Sequence, residues 1–202
     1  MSASISTRVR AAAITAALPW VLLIAAPAGG VEPADLDAAR EYCASVGGQV
    51  QERHATYGTN NDASLWIDLG RSIEVCRFQA DDEAQSRIYV DLITLWSEKP
   101  SLAAGAYLAR IPMASELPAG NPATYYCADL GGSSQYGMGA AGGGWVNSDG
   151  PFDVVAAMCV FPDGSMIDDW GIAYHSAGTI RGADLAPLFR SANGELPPLF
   201  GS

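Results

Sequence analysis

The four cysteines of this chain stand in two similarly built segments, and this repetition constrains the fold more than any other feature. Cys43 is preceded by Tyr and followed, after three intervening residues, by Gly-Gly, and Cys127 has the same landmarks in the same order. Each is followed by a second cysteine, Cys76 or Cys159, at spacings of 33 and 32 residues and two positions before a Phe. Landmarks that recur in the same order at nearly the same distance predict a tandem duplication.

The first 28 residues are typical of a secretory signal peptide. Arg8 and Arg10 precede an uncharged apolar run that ends in a small-x-small cleavage site at 26–28. The alternative is an uncleaved anchor, because the segment 11–28 is nearly long enough to span a bilayer. Its prolines and alanines favour cleavage. We therefore expect an exported protein, periplasmic or secreted, that contacts a membrane only if 11–28 is retained.

Cysteines of an exported chain are expected to pair, and four of them allow three pairings on counting alone. If both copies fold in the same way, the duplication selects Cys43 with Cys76 and Cys127 with Cys159. Each bridge then closes a loop of roughly thirty residues, worth about 3 to 4 kcal/mol in the chain-entropy model. The disulfides would supply a large share of the stability of copies this small.

The net charge of the chain limits the classes of partner that we expect it to bind. The net charge is −11, and removal of 1–28, which holds two Arg and no acidic residue, leaves −13. Such a surface repels phosphate backbones and anionic membranes. We therefore expect no nucleic-acid partner, and we attribute the acidity to solubility outside the cytoplasm.

The predicted fold class is α+β, with two tandem disulfide-stapled repeats that are each a short helix packed on a small antiparallel sheet. The first copy covers 34–110 and the second covers 118–192. A linker rich in Pro and small residues, 111–117, separates them, and a tail follows over 193–202.

Helix signals open both copies. Asn121, with Pro at the next position, is a good N-cap, and Asp37 takes the cap role in copy one. The Gly-Gly pairs at 47–48 and 131–132 predict left-handed helix ends. Apolar segments late in each copy, 101–110 and 183–190, are predicted as short helices.

Runs rich in β-branched and aromatic residues predict the strands. The predicted strands are 49–57, 64–69, 73–78 and 87–96 in copy one and, as the counterpart of the last, 166–175 in copy two. Pro162, Asp163 and Gly164 predict a chain reversal between two strands. Trp170, close behind this turn, is predicted to belong to the core.

Copy two resembles a small secreted bacterial domain family of unknown function whose members are labelled hemolysins. The shared pattern is Asn-Pro-Ala, Tyr-Cys, Gly-Gly, Cys-x-Phe-Pro-Asp-Gly and Trp, which runs here from Asn121 to Trp170. Copy one looks like a diverged relative without Asn-Pro-Ala and Phe-Pro-Asp-Gly. Two further cysteines of the family are replaced here by Ile167 and a residue near Ala177. The resemblance implies the fold and the exported location, while the sequence contains no long amphipathic hairpin or basic amphipathic helix for pore formation.

The residues that could carry catalysis form no recognised constellation. His54 and His175 lie at non-equivalent places in the two copies, and a metal site would need both of them together with Asp168 or Asp169. Asp168 and Asp169 are adjacent and would face opposite sides of a strand. Neither a G-x-S-x-G elbow nor an H-E-x-x-H motif occurs. We therefore predict a non-enzymatic protein with no catalytic residue, no cofactor and no metal.

Two loops have compositions that suggest a binding role. The Gly-rich stretch 137–150 lacks the Lys-Ser/Thr of a phosphate-binding loop and predicts a mobile hairpin tip. Trp145 on this tip is either a contact for a partner protein or a cover for its own core. Asp81, Asp82 and Glu83 lack the spacing of a calcium loop and are interpreted as a solvated turn.

Three functions follow as hypotheses. The leading one is an exported, non-enzymatic binding or accessory protein of the cell envelope. The second is an accessory subunit of a membrane-bound envelope complex, kept in place by an uncleaved anchor at 11–28. The third is an inhibitor or hemolysin-like effector that engages its target through 137–150. A protein partner is expected in each case.

Overall fold

Helices and strands are interleaved along the chain in the computed structural model, which describes residues 33–82, 84–135, 140–147, 155–198 and 200. The α-helices are α1 (Pro33–Ser45), α2 (Leu92–Trp96), α3 (Leu102–Ala109), α4 (Pro122–Asp129) and α5 (Asp169–Ser176). The strands are β1 (Gln49–Tyr57), β2 (Ile67–Gln79), β3 (Arg87–Asp91), β4 (Ser133–Ser134), β5 (Gly143–Val146), β6 (Val155–Ala156), β7 (Met158–Val160) and β8 (Met166–Asp168). A 3-10 helix, Ala63–Leu65, precedes β2.

The strands form one antiparallel sheet in the order β4-β7-β8-β3-β2-β1-β5-β6. Strands from both predicted copies meet twice, where Val90 of β3 pairs with Ile167 of β8 and where β1 pairs with β5. The predicted α+β class is therefore confirmed, but the expectation of a separate small sheet in each copy is wrong. Residues 31–202 form one compact unit.

The two faces of the sheet bury different cores. The larger core contains the helices and both disulfides and takes Cys76, Ile88 and Val90 from the sheet. Their sequence neighbours Val75 and Tyr89 point to the opposite face, as strand alternation requires, and join a smaller cluster with Ala55, Trp145, Ala156 and Met158. The sheet is thus covered by helices on one face and by its own curled end on the other.

Each disulfide joins a helix to a strand. The pairs are Cys43–Cys76 and Cys127–Cys159, which is the pairing predicted from the duplication. Both helices end in a Gly-Gly pair, with Gly47 at φ 86° and Gly131 at φ 84°. The second glycine of each pair lies against the sulfurs, since a Cβ on Gly48 or Gly132 would overlap the nearest Sγ atom. The predicted left-handed helix ends are confirmed.

Two segments predicted as long strands change to helix at an aspartate. The run 87–96 is a strand only as far as Asp91, whose Oδ2 accepts a hydrogen bond from the Thr94 N–H at 2.9 Å and caps α2. The run 166–175 changes in the same way at Asp168, which caps α5. The prediction followed β-branched content, and helix capping overrides that preference here.

Of four further predictions of helices and helix caps, two are confirmed and two are wrong. Asn121 caps α4 and 101–110 contains α3, as predicted. Asp37 lies inside α1 and forms an ion pair with Arg40 at 2.5 Å, so its predicted cap role is wrong because the helix begins earlier. The segment 183–190 forms turns instead of a helix, which fits the missing N–H of the proline within it.

The compartment is indicated by the disulfides. Two such bridges are typical of an oxidising environment such as the periplasm or the cell exterior. Within the described ranges, every helix is too short or too polar to cross a bilayer. The signal-peptide prediction for 1–28 falls outside the described residues.

Candidate functional site

The Pro-Asp-Gly turn caps a distant helix. Gly164 has φ 83° and its N–H bonds to the Phe161 carbonyl, so the predicted reversal is confirmed. Asp163 Oδ2 accepts a hydrogen bond from the Leu102 N–H at 2.8 Å, and Ser165 Oγ accepts one from the next N–H of α3 at 3.0 Å. Two N–H groups at the start of α3 are thereby satisfied from another part of the chain. The turn has a structural role.

The structure does not bring the two histidines together. His54 is exposed on β1, whereas His175 is 3% exposed on α5 and stacks on the ring of Tyr107 with centroids 3.7 Å apart. Burial, and secondarily the charge of Arg110, lowers the pKa of His175 below its ordinary value. Among the described residues, no cluster of three or more potential metal ligands is found.

Trp145 lies in the interior. Its side chain is only 1% exposed, because β5 pairs with β1 and turns the indole into the smaller core. Of the two interpretations of this residue, the partner contact is wrong and the core cover is correct. The rest of the loop 137–150 lies partly outside the described residues.

Arg53 on β1 is a buried arginine that contacts the neighbouring strand β5. Its side chain is fully buried, and the guanidinium lies 4.2 Å over the ring of Tyr89. Nη1 donates a hydrogen bond to the Trp145 carbonyl at 3.0 Å, and Nη2 donates one to Gln51 Oε1 at 3.2 Å. The bond to Trp145 ties β5 to β1, and the first residue of β5, Gly143, borders the cleft described next.

A polar cleft of about 400 Å³ opens beside the start of α4 and the strands β4 and β5. This volume lies within the range of roughly 300 to 1,000 Å³ typical of small-molecule sites. Its lining combines apolar residues and glycines with seven polar side chains: Thr59, Asn60, Asn121, Thr124, Tyr125, Ser134 and Gln135. Among the described lining residues none carries a charge, although the chain as a whole has a net charge of −11.

A serine and an aspartate form a hydrogen-bonded pair at the wall of the polar cleft. Ser134 Oγ donates to Asp169 Oδ2, and Thr124 Oγ1 donates to Ser134 Oγ at 3.4 Å. Asp169 is fully buried, and burial raises its pKa to about 7 although the Ser134 bond opposes the rise. The Ser134 hydroxyl thus donates to Asp169 and accepts from Thr124, and these two contacts fix its orientation at the cleft wall.

Tyr125 is held rigidly at the cleft. Its hydroxyl donates to the Ala119 carbonyl at 3.1 Å, across the backbone of Gly120. A Cβ on Gly120 would lie 3.1 Å from this hydroxyl oxygen, and the residue has φ 144°. A glycine at this position therefore lets the ring lie close to the backbone, and the ring loses little further freedom when a ligand binds.

The amide side chains offer both donors and acceptors. Asn121 uses Oδ1 to accept from the Ala123 N–H at 3.0 Å, so its cap leaves the amide N–H groups for other partners. Gln135 Oε1 is buried and has no hydrogen-bond partner among the described residues. Asn60 Nδ2 donates to the Ala140 carbonyl at 3.4 Å. A ligand in the polar cleft would meet unlike hydrogen-bonding groups side by side.

The remaining acidic candidates have structural contacts. Asp168 Oδ1 accepts from the Trp170 and Gly171 N–H groups at 2.9 and 3.0 Å, as the cap of α5. Asp82 Oδ1 accepts from the Ser86 N–H at 2.9 Å within an exposed turn. Glu83 lies outside the described residues.

Sequence reasoning missed the polar cleft. Ser134 and Gln135 follow the second Gly-Gly pair in a stretch with the composition of an ordinary loop, and Asp169 lies in a run that the sequence predicts as a strand. Comparison of the chain with protein-family models, with curated proteins and with solved structures found no significant match. What the cleft binds is therefore inferred from its chemistry.

Proposed function

We propose that this chain is an exported, non-enzymatic binding protein of the cell envelope and that the polar cleft is its ligand site. One observation carries the proposal: a cleft of about 400 Å³ has an uncharged polar lining, among its described residues, in an otherwise acidic protein. Side chains held by hydrogen bonds within the protein, such as Tyr125 and Ser134, border it. A preorganised lining of this kind favours binding because little order has to be imposed on the protein.

The contacts of the reactive side chains support binding over catalysis. Asp163 and Asp168 accept hydrogen bonds from helix N–H groups, and His175 is buried against Tyr107. At the cleft, Ser134 donates to Asp169, and no imidazole is hydrogen-bonded to either residue among the described contacts. The described contacts therefore contain no Ser-His-Asp triad.

We further propose that the chain is a diverged member of the secreted family that copy two resembles, with two tandem copies. Support comes from the two disulfide units, which share a helix, a left-handed first glycine and a second glycine packed on the sulfurs. The two aspartate caps that end β3 and β8 add a second common feature. The exported location is supported by the disulfides.

A matched pair of substitutions tests the ligand site. Ala119→Trp at the mouth of the polar cleft should fill it, whereas Ala128→Trp, exposed on α4 outside the cleft, should not. The immobilised wild type and variants are incubated with the envelope extract of the producing cell, and the retained small molecules are identified by mass spectrometry. We expect retention by the wild type and Ala128→Trp but not by Ala119→Trp. Equal retention by all three proteins, or by none, would contradict the proposal.

A second candidate is the accessory subunit of an envelope complex. It is favoured by apolar side chains at the end of the β1–β2 hairpin, where Tyr57 pairs with Ile67. Their exposed fractions are 45% for Tyr57, 64% for Leu65, 56% for Ile67 and 42% for Leu69. Exposed apolar groups that lie together are typical of protein-contact surfaces. Cross-linking from this hairpin to a single envelope protein, lost in Ile67→Ser but kept in Ile180→Ser, would favour this role.

A further inference from the structure

We infer that the polar cleft takes a neutral polyhydroxylated ligand, a small saccharide. The inference rests on the proposed function, because it names the class of ligand for the same site. It follows from the charge of the lining, from the mixture of its hydrogen-bonding groups, and from the rigid tyrosine at its side.

The charge of the described surroundings disfavours strongly anionic ligands. The described lining holds no Lys or Arg, and the net charge of −11 disfavours the approach of an anion. The same lining holds no carboxylate that would pair with a cation. Asp169, the nearest acid described above, is buried behind Ser134 and has a pKa near 7. A neutral ligand is the one that this cleft does not penalise.

The hydrogen-bonding groups that line the polar cleft match the hydroxyl groups of a sugar. Each sugar hydroxyl both donates and accepts, so it is satisfied where a donor and an acceptor lie near each other. The cleft is lined by the amide side chains of Asn60, Asn121 and Gln135, and each amide carries both donors and an acceptor. A phosphate or carboxylate needs donors alone, and an ammonium group needs acceptors alone. The mixed set therefore discriminates in favour of a polyol.

Tyr125 supplies the apolar contact that a sugar ring also needs. The C–H groups on one face of a pyranose carry slight positive charge, and the face of an aromatic ring carries negative charge. The ring of Tyr125 is half-buried, lines the cleft, and is fixed by the bond from its hydroxyl to the Ala119 carbonyl at 3.1 Å. The small residues around it leave room for a flat ring.

The test measures binding of defined probes to the full chain, produced by export so that both disulfides form. The probes are two neutral oligosaccharides, triacetylchitotriose and maltotriose, and three comparators: glucose 6-phosphate, spermidine and pentaglycine. Isothermal calorimetry and saturation-transfer NMR give affinity and the ligand groups in contact. We expect a neutral oligosaccharide to bind best, and deoxy analogues that leave a cleft group unpaired to bind more weakly.

Three variants locate the site. Asn121→Ser removes the amide but keeps a good helix cap, and Gln135→Leu removes the side-chain amide of a second lining residue at similar volume. Each should weaken saccharide binding by about tenfold or more, which corresponds to one lost hydrogen bond. The matched control Gln79→Leu changes an exposed glutamine at the end of β2 and should leave binding unchanged. Disulfide content and the thermal midpoint of each variant verify that it is folded.

The outcomes separate this inference from the proposed function. Saccharide binding that both cleft variants weaken and Gln79→Leu leaves intact supports the inference. Saccharide binding that is indifferent to the cleft variants, or preference for the phosphate, the polyamine or the peptide, overturns it. If no probe binds while Ala119→Trp still loses a natural ligand, the saccharide class is wrong and the binding function stands. If Ala119→Trp loses nothing, the proposed function falls as well.

Discussion

Asp163 and Leu102 are 61 residues apart in sequence, and the carboxylate of one caps the helix begun by the other. Asp163 Oδ2 accepts from the Leu102 N–H at 2.8 Å, and its Oδ1 accepts from the Ser165 hydroxyl at 2.6 Å. Ser165 in turn accepts from the following N–H of α3. The turn between β7 and β8 is thereby locked onto a helix from the other predicted copy.

Removal of the Asp163 carboxylate should lower the free energy of unfolding of the protein. Asp163→Ala leaves the Leu102 N–H without its partner and frees the Ser165 hydroxyl, and we expect a loss of about 1 to 2 kcal/mol in the free energy of unfolding. Urea denaturation measures the loss, and hydrogen exchange at the Leu102 amide should speed up with it. Asp81→Ala, at an exposed acid in the corresponding turn of copy one, should change stability by no more than about 0.5 kcal/mol. Equal stabilities of the two variants would contradict the capping role.

This contact marks the limit of what the sequence reveals. The turn at 161–165 and the cap at Asn121 were predictable, because the local residue types are sufficient to specify them. The partner of Asp163 was not, because nothing local links it to Leu102. The same holds for Ser134 and Asp169, whose pairing spans 35 residues.

The two long strands predicted at 87–96 and 166–175 could have been recognised from the sequence as strands followed by helices. Asp91 interrupts an apolar run and directly precedes the apolar segment Leu92–Trp96, which is the position of an N-cap. Asp168 occupies the same N-cap position in the second run, 166–175. The sheet shared by both predicted copies was not accessible, since strand pairing between distant segments leaves no pattern in either segment alone.

The glycines beside the disulfides should tolerate substitution unequally. In Gly48→Ala the new Cβ would overlap Cys76 Sγ and lie 2.9 Å from Cys43 Sγ, so we expect a loss of about 3 kcal/mol or more and poor disulfide formation. Gly47→Ala meets no neighbour within 4 Å and should cost about 1 to 2 kcal/mol, from its positive φ alone. Denaturation with peptide mapping under non-reducing conditions measures both effects. Gly132→Ala and Gly131→Ala should repeat the contrast, and similar losses within each pair would refute it.

Asp169 should make the protein less stable as the pH rises. Its pKa is about 7 in the folded state against an ordinary value of 3.8, so the folded state binds the extra proton between these values. The favourable contribution is present below pH 4 and is lost as the pH rises through 7, with a total on the order of 4 kcal/mol. Asp169→Asn, which cannot ionise, should lose less stability between pH 4.5 and 7.5 than the wild type does. Asp129→Asn, at an exposed acid on α4, should keep the wild-type profile; a wild-type profile in Asp169→Asn would be the contrary result.

His175 should make the protein less stable as the pH falls, which is the opposite of the effect of Asp169. Burial lowers its pKa, so the folded state favours the neutral ring while the unfolded chain takes up a proton near pH 6.5. The contribution of the neutral ring to stability is therefore complete above pH 6.5 and is lost as the pH falls through the lower folded pKa. His175→Phe keeps an aromatic face for Tyr107 and should resist acid better than the wild type in thermal unfolding between pH 7.5 and 4.5. His54→Gln, at the exposed second histidine, serves as the control. If it protects against acid as well as His175→Phe does, the effect does not come from the buried ring.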